Sequence, residues 1–149
     1  MRARFKNINL KEIIHLKHEE EPKVHNDVTT SSSSSPSYTP IVLVTDYASI
    51  NARYYKSCGT SKSAIIFIGG VAGGYDSPSN ELYPRLCEDF IKPPFNISCL
   101  RIHFRFSRKI GECVYDVLTA VDFLKNHEGI DKIGIVGHSL GAAVAIQGM

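Results

Sequence analysis

The sequence has little of what marks several common protein classes. Its four cysteines, Cys58, Cys87, Cys99 and Cys113, form no C-x-x-C pair and have no nearby histidine in a metal-ligand pattern. That leaves no cysteine-based metal module, and a disulfide scaffold is normally shorter and richer in cysteine, so the four read as reduced core thiols. No metal and no cofactor is expected. Basic and acidic residues nearly balance, 17 against 15 for a net charge of +2, and without a long basic run nothing calls for a nucleic-acid partner. The longest stretch of apolar residues and glycine, Ala64 to Gly74, is about half of the roughly 20 residues that a membrane-spanning helix needs. The N-terminal stretch has no apolar core like that of a signal peptide, and it carries Glu12, Glu19, Glu20 and Glu21, which a transit peptide avoids. A soluble, cytoplasmic protein is the expectation.

What is present suits a packed domain: 43% of residues are hydrophobic and 21% charged, ordinary globular values. The tract "VTTSSSSSPSYTP", Val28 to Pro40, cannot bury enough apolar area to offset the cost of ordering its backbone, so it reads as a linker. Before it, Ile8, Ile13, Ile14 and Leu16 support at most a short, weakly amphipathic helix broken at Pro22. Residues 1–39 are therefore expected to be a tail, and residues 40–149 the folded part.

From Pro40 the pattern alternates. Ile41 to Asp46 and Ser49 to Tyr55 are strand candidates in a meander at a sheet edge, and Ser63 to Gly70 is a continuous apolar run like that of a strand buried on both faces. A helix is expected from Pro78 to about Ile91 with Ser77 as N-cap, then a strand over Asn96 to Phe106. Val114, Val117, Leu118, Val121 and Leu124 fall at helical spacing, with Asp116, Asp122 and Lys125 on the other side and Gly129 placed to cap the end. "DKIGIVG" is another short buried strand, followed by a helix opened by Gly141, Ala142, Ala143 and Ala145. Strands alternating with helices imply right-handed crossovers and a mostly parallel sheet, which binds ligands at the carboxyl ends of its strands. Both glycine-rich turns, "IGGVAGG" and "VGHSLGA", fall at that edge.

The second turn holds Gly137-His138-Ser139-Leu140-Gly141. A Gly-x-Ser-x-Gly between a buried strand and a small-residue helix puts a serine on a sharp turn with its hydroxyl at the sheet edge, and the glycines avoid Cβ clashes. The helix start adds positive potential and a free amide, that of Leu140, aimed at where an oxyanion would form. Ser139 is therefore the candidate nucleophile, and His138 is read as packing or orientation, since a base must approach from another loop. In the first turn, "FIGGVAGGYDSPS" lacks the Lys and Ser/Thr of a phosphate-binding loop. It reads instead as the source of a second oxyanion donor, the amide of Val71, with Gly70 as the alternative. Asp76 reads as a turn residue, and Arg101, His103 and Arg105 as end-of-strand or paired side chains facing solvent.

These residues resemble the serine-nucleophile α/β-hydrolase superfamily, through "GHSLGAA" after a strand and an upstream strand ending in Gly-Gly. More narrowly, "GGVAGGYDSPSNELYPRL", "LRIHFRF" and "GECVYDVLTAVDFL" are similar to small dienelactone-hydrolase-like or serine-aminopeptidase-like hydrolases. The resemblance implies a three-layer α/β fold and hydrolysis of a small-molecule ester, amide or thioester through an acyl-enzyme on Ser139, with Leu140 and Val71 as oxyanion donors. Where the superfamily has His-Gly or a close variant in its first loop, Gly69-Gly70 stands here. The superfamily also orders its triad as Ser, then Asp or Glu, then His, yet "LGAAVAIQGM" after Ser139 contains neither an acid nor a histidine. The expectation is the N-terminal half of such a domain, truncated after the nucleophile-elbow helix and nearly inactive by itself. The rival expectation is a non-catalytic pseudoenzyme or interaction domain.

Overall fold

The computed structural model of the protein describes residues 8–22 and 36–148. Among them, strands β1 (Leu10–His15), β2 (Thr39–Thr45), β3 (Ser49–Tyr55), β4 (Ser63–Ile68), β5 (Ser98–Ile102) and β6 (Lys132–Gly137) form one mixed sheet in the order β1-β2-β3-β5-β4-β6. The helices are α1 (Leu82–Phe90), α2 (Ile110–Asp122) and α3 (Leu140–Gly148).

The arrangement follows from β4. Its run Ile66-Phe67-Ile68 is buried on both sides, which only a central strand covered on both faces allows. It pairs in parallel with β5, Ile66 opposite Leu100, and with β6, Ile68 opposite Gly137. β3 runs antiparallel beside β5, and β2 antiparallel beside β3, forming the expected meander. On one face Ile50, Ile66, Ile68, Leu100 and Ile102 pack with Val117 of α2, Leu124 just beyond that helix and Val144 of α3. On the other, Tyr55, Phe67 and Cys99 pack against Tyr83 and Cys87 of α1. Each fully buried aliphatic or Phe side chain contributes about 1.5–3 kcal/mol relative to exposure, so these two faces carry most of the drive to fold.

The expected tail differs. Instead of a weak helix, residues 10–15 form β1, antiparallel to β2 with Ile13 opposite Leu43 and His15 opposite Ile41. Of this strand only Leu10 is buried, so no alternation betrays it in the sequence; it forms because β2 offers an unpaired edge of N–H and C=O groups. Beyond it, Glu21 reaches back to the sheet, where its carboxylate accepts from Arg53 Nε at 2.5 Å and from the Tyr38 hydroxyl at 2.9 Å. The serine run at residues 31–35 lies outside the described residues.

Helix α1 starts later than the Pro78 expectation because Asn80 and Glu81 take left-handed backbone angles, with φ of 59° and 53°. The N-cap position is Glu81 and not the expected Ser77; the Ser77 hydroxyl instead accepts from the first-turn Tyr83 N–H at 3.0 Å from outside the helix. α2 continues beyond Asp122 as a wider π turn, Phe123–His127, closed by the Glu128 N–H to the Phe123 carbonyl. Gly129, at φ 67°, ends it as expected.

Asp116 was expected on the solvent side of α2 and is instead fully buried. Arg105, just after β5, turns inward to meet it: Nε donates to Asp116 Oδ1 at 2.6 Å, the Arg105 N–H to Oδ2 at 3.1 Å, and Nη2 to Glu112 at 3.0 Å. Arg101 is buried too. Neither arginine faces solvent, because each finds an oxygen inside.

Burial pushes the Asp116 carboxyl up from its ordinary 3.8 to about 6, outweighing the opposing pull of Arg105. Between those values the folded chain keeps a proton that the unfolded chain has released, so Asp116 costs stability as pH rises through that window. Denaturant unfolding at pH 4 to 7 should therefore show the stability difference, wild type minus Asp116→Asn, shrinking as pH rises. A difference that grows over that range would mean that the Arg105 pairing wins instead.

Candidate active site

Two turns meet at the carboxyl ends of β4 and β6. At the β6–α3 turn the reason for glycine at two positions is geometric. A Cβ on Gly137 would lie 2.4 Å from the Gly141 main chain, and one on Gly141 would lie 2.5 Å from the Gly69 oxygen and 2.6 Å from the Ile68 oxygen. Real Cβ atoms do not come that close, so only glycine lets the helix start press against both strand ends. Between them Ser139 sits in the left-handed region at φ 53°, a conformation that costs a non-glycine residue on the order of 1–3 kcal/mol. Its side chain is exposed.

The helix opens at once. Gly141 N–H donates to the His138 carbonyl and Ala142 N–H to that of Ser139. The Leu140 amide, first in α3, has no hydrogen-bond partner among the described residues, as helix geometry requires of a first-turn N–H. It therefore adds a free donor to the positive end of the helix.

The loop after β4 supplies the opposing wall. A Cβ on Gly70 would lie 3.3 Å from Ser139 Cβ and 3.4 Å from His138 Nε2, so the Gly70 main chain rests against the Ser139 turn. The Gly70 amide is already committed, donating to Asp76 Oδ2 at 3.0 Å. Val71 is different: its carbonyl accepts from the Ser107 hydroxyl at 3.1 Å, while its N–H has no partner among the described residues. Of the two loop amides singled out in the sequence, Val71 is thus the one left available.

Asp76 and His138 do more than the sequence suggests. Asp76 Oδ1 accepts from the Ser77 N–H at 3.0 Å, and His138 Nε2 stands 3.3 Å from Asp76 Oδ2. The other ring nitrogen, Nδ1, is 3.3 Å from the Tyr83 hydroxyl, whose pKa is raised by burial and by the nearby Asp76 charge. Both histidine nitrogens are therefore engaged away from the serine. The Ser139 hydroxyl itself has no hydrogen bond to a histidine or carboxylate among the described residues.

The far end of the same loop is held by cations. The Arg101 guanidinium donates to the Tyr75 carbonyl, and the Tyr75 ring lies 4.1 Å from the Arg53 guanidinium, which also sits over Tyr38 at 4.8 Å. His103 packs beside Tyr75 at 5.5 Å; its Nδ1 is buried with no partner among the described residues, and burial lowers its pKa. The glycine pattern and the apolar strands could locate the loop. Nothing local announces the arginines 22 and 26 positions from Tyr75, because the sheet brings them there.

If the glycine spacing is steric, substitutions should separate sharply. Gly141→Ala and Gly137→Ala should each lower stability in denaturant unfolding by about 1–3 kcal/mol or prevent folding. Gly134→Ala, whose Cβ would meet Ile65 at an ordinary 3.8 Å, should stay within about 1 kcal/mol of the parent.

Comparison with known proteins agrees with this geometry. No family model matches the sequence. Kynurenine formamidase of the yeast Meyerozyma guilliermondii is 31% identical over 98 residues, which are 64% of this chain and 36% of that one. Among solved structures, esterase 2 of Thermogutta terrifontis is 27% identical with a TM-score of 0.56, matching 74% of this chain and 46% of that chain. An α/β serine hydrolase homologue from Coxiella burnetii matches 72% of this chain and 55% of that chain at 18% identity and a TM-score of 0.57. Est1E from Butyrivibrio proteoclasticus matches 73% and 44% at 17% identity and a TM-score of 0.60; these last two likenesses speak for the fold alone. The chain spans about half the length of these solved proteins and about a third of the formamidase. Over the part that they match, this protein has the fold of the α/β-hydrolase superfamily and is related to it.

Proposed function

We propose that the protein is a serine hydrolase of small-molecule esters or amides that works through an acyl-enzyme on Ser139. The observation that carries this reading is the left-handed Ser139 at the strand-to-helix turn, exposed beside two amides, Leu140 and Val71, that have no partner among the described residues. In the proposed reaction Ser139 Oγ loses its proton to a general base and bonds to the substrate carbonyl carbon. The carbonyl oxygen becomes an oxyanion facing the two amides and the start of α3. Collapse expels the alcohol or amine with that proton, and water then attacks the acyl-serine to release the acid.

No described histidine bonds to Ser139, so the reading assigns neither base nor triad acid among the described residues. Removing triad members leaves residual catalysis orders of magnitude below that of the complete set, and a Ser139 without such partners is accordingly proposed to react slowly. The relatives' names bear on the substrate: esterase in one case and kynurenine formamidase in the other. A second, non-catalytic reading draws on the same unengaged serine.

The esterase 2 relative is solved with paraoxon-derived phosphorylation and with tabun-derived phosphoramylation, which suggests the test. Incubating the folded protein with paraoxon or a fluorophosphonate and measuring intact mass should give one adduct, mapped to Ser139 and absent in Ser139→Ala. A folded protein that gives no adduct on long incubation favours the non-catalytic reading.

A further inference from the structure

Among the described residues, Asp76 is the carboxylate that touches both turns of the candidate site. Its Oδ2 is shared, receiving the Gly70 N–H at 3.0 Å from the loop after β4 and facing His138 Nε2 at 3.3 Å from the turn after β6. Its Oδ1 takes the Ser77 N–H at 3.0 Å, which fixes the carboxylate plane. A carboxylate only accepts, so the 3.3 Å approach of Nε2 to it is favourable with hydrogen on that nitrogen. In the neutral ring Nδ1 is then the acceptor, and it faces the Tyr83 hydroxyl of α1 at 3.3 Å. The chain of contacts runs from the β4 loop through Asp76 and His138 to α1. There is no room for slack, since a Cβ on Gly70 would already stand 3.0 Å from Asp76 Oδ2 and 3.3 Å from Ser139 Cβ.

We infer that Asp76 and His138 are a pair of positioning residues that clamp the glycine loop onto the Ser139 turn, with Gly70 spent on holding the clamp and Val71 left as the loop's oxyanion donor. What the clamp is for rests on the hydrolase reading; that it exists does not. It assigns His138 a task other than proton transfer: with both nitrogens held, the ring sets the distance between two main-chain segments. Peptide geometry then couples Gly70 to the facing of the next amide, Val71. Preorganised donors of this kind stabilise an oxyanion only when their placement is fixed beforehand.

The experiment is NMR on the 15N-labelled chain. Long-range proton–nitrogen correlation should show His138 with hydrogen on Nε2, and the Gly70 amide should be protected from exchange. In His138→Phe, which keeps a ring and loses both nitrogens, Gly70 should exchange about tenfold faster while Ile66 of β4 does not change. His138→Gln, which restores one donor toward Asp76, should recover most of the protection. An Nδ1-protonated His138 in the parent protein overturns the clamp, and that result needs no variant to fold. It is also overturned if Gly70 exchange in His138→Phe equals the parent's, or if Ile66 accelerates equally, since the effect is then absent or global. The two readings fail separately. No adduct on Ser139 removes the hydrolase and leaves these signals in place, whereas unchanged Gly70 exchange with normal adduct formation removes only the clamp.

Discussion

At Gly141 the main chain of α3 lies so close to the end of β4 that a Cβ would stand 2.5 Å from the Gly69 oxygen. This approach sets the geometry of the whole edge. It brings the start of α3 over the parallel pair β4 and β6, so the positive end of the helix faces the loop that leaves β4. It also shortens the passage from β6 into α3 to His138 and Ser139, and a turn that tight is closed by the left-handed angle at the serine. The exposed hydroxyl, the free Leu140 amide and the contact with Gly70 are three results of one close packing.

The loop opposite is held by polar forces of a different kind. Arg53 and Glu21 are both almost fully withdrawn from water and bonded to each other, an arrangement whose desolvation cost offsets much of the attraction. Such a pair is weak evidence for added stability. Its effect here is on direction: the guanidinium has a fixed place between the Tyr38 and Tyr75 rings, and Tyr75 is thereby fixed as well. Arg101 repeats this from β5 by gripping the Tyr75 carbonyl. A loop rich in glycine, with little side-chain packing of its own, is thus ordered by groups that belong to its neighbours.

Much of this was legible in the sequence. β3 spans Ser49–Tyr55 as expected, and β4 and α2 fall close to where continuous apolar runs and helical spacing put them, because burial on both faces or along one helix face writes itself into residue type. The Ser139 turn was legible for a related reason, since steric exclusion demands glycine and leaves a pattern. β1 was not, because a strand with a single buried residue carries no period. Asp116 was misplaced because spacing cannot show that Arg105, 11 positions earlier, turns in to meet it. The link from Asp76 to His138 likewise joins two residues that are each ordinary in their local context. Polar contacts across the fold depend on which strands are neighbours, and that is a property of topology.

The way the two turns are anchored also bears on the order in which the edge assembles. The Ser139 turn is made by consecutive residues between β6 and α3, and its internal hydrogen bonds span three positions. The glycine loop depends on contacts far apart in the chain, Arg101 to Tyr75 across 26 residues and Glu21 to Arg53 across 32. Closing such distances carries an entropic cost that must be met before the contact gives anything back, which makes them slow to form. The serine turn thus combines local hydrogen bonds with one close packing on β4. The loop that faces it draws its anchors from β3, β5 and the N-terminal segment, so its order depends on the docking of that segment.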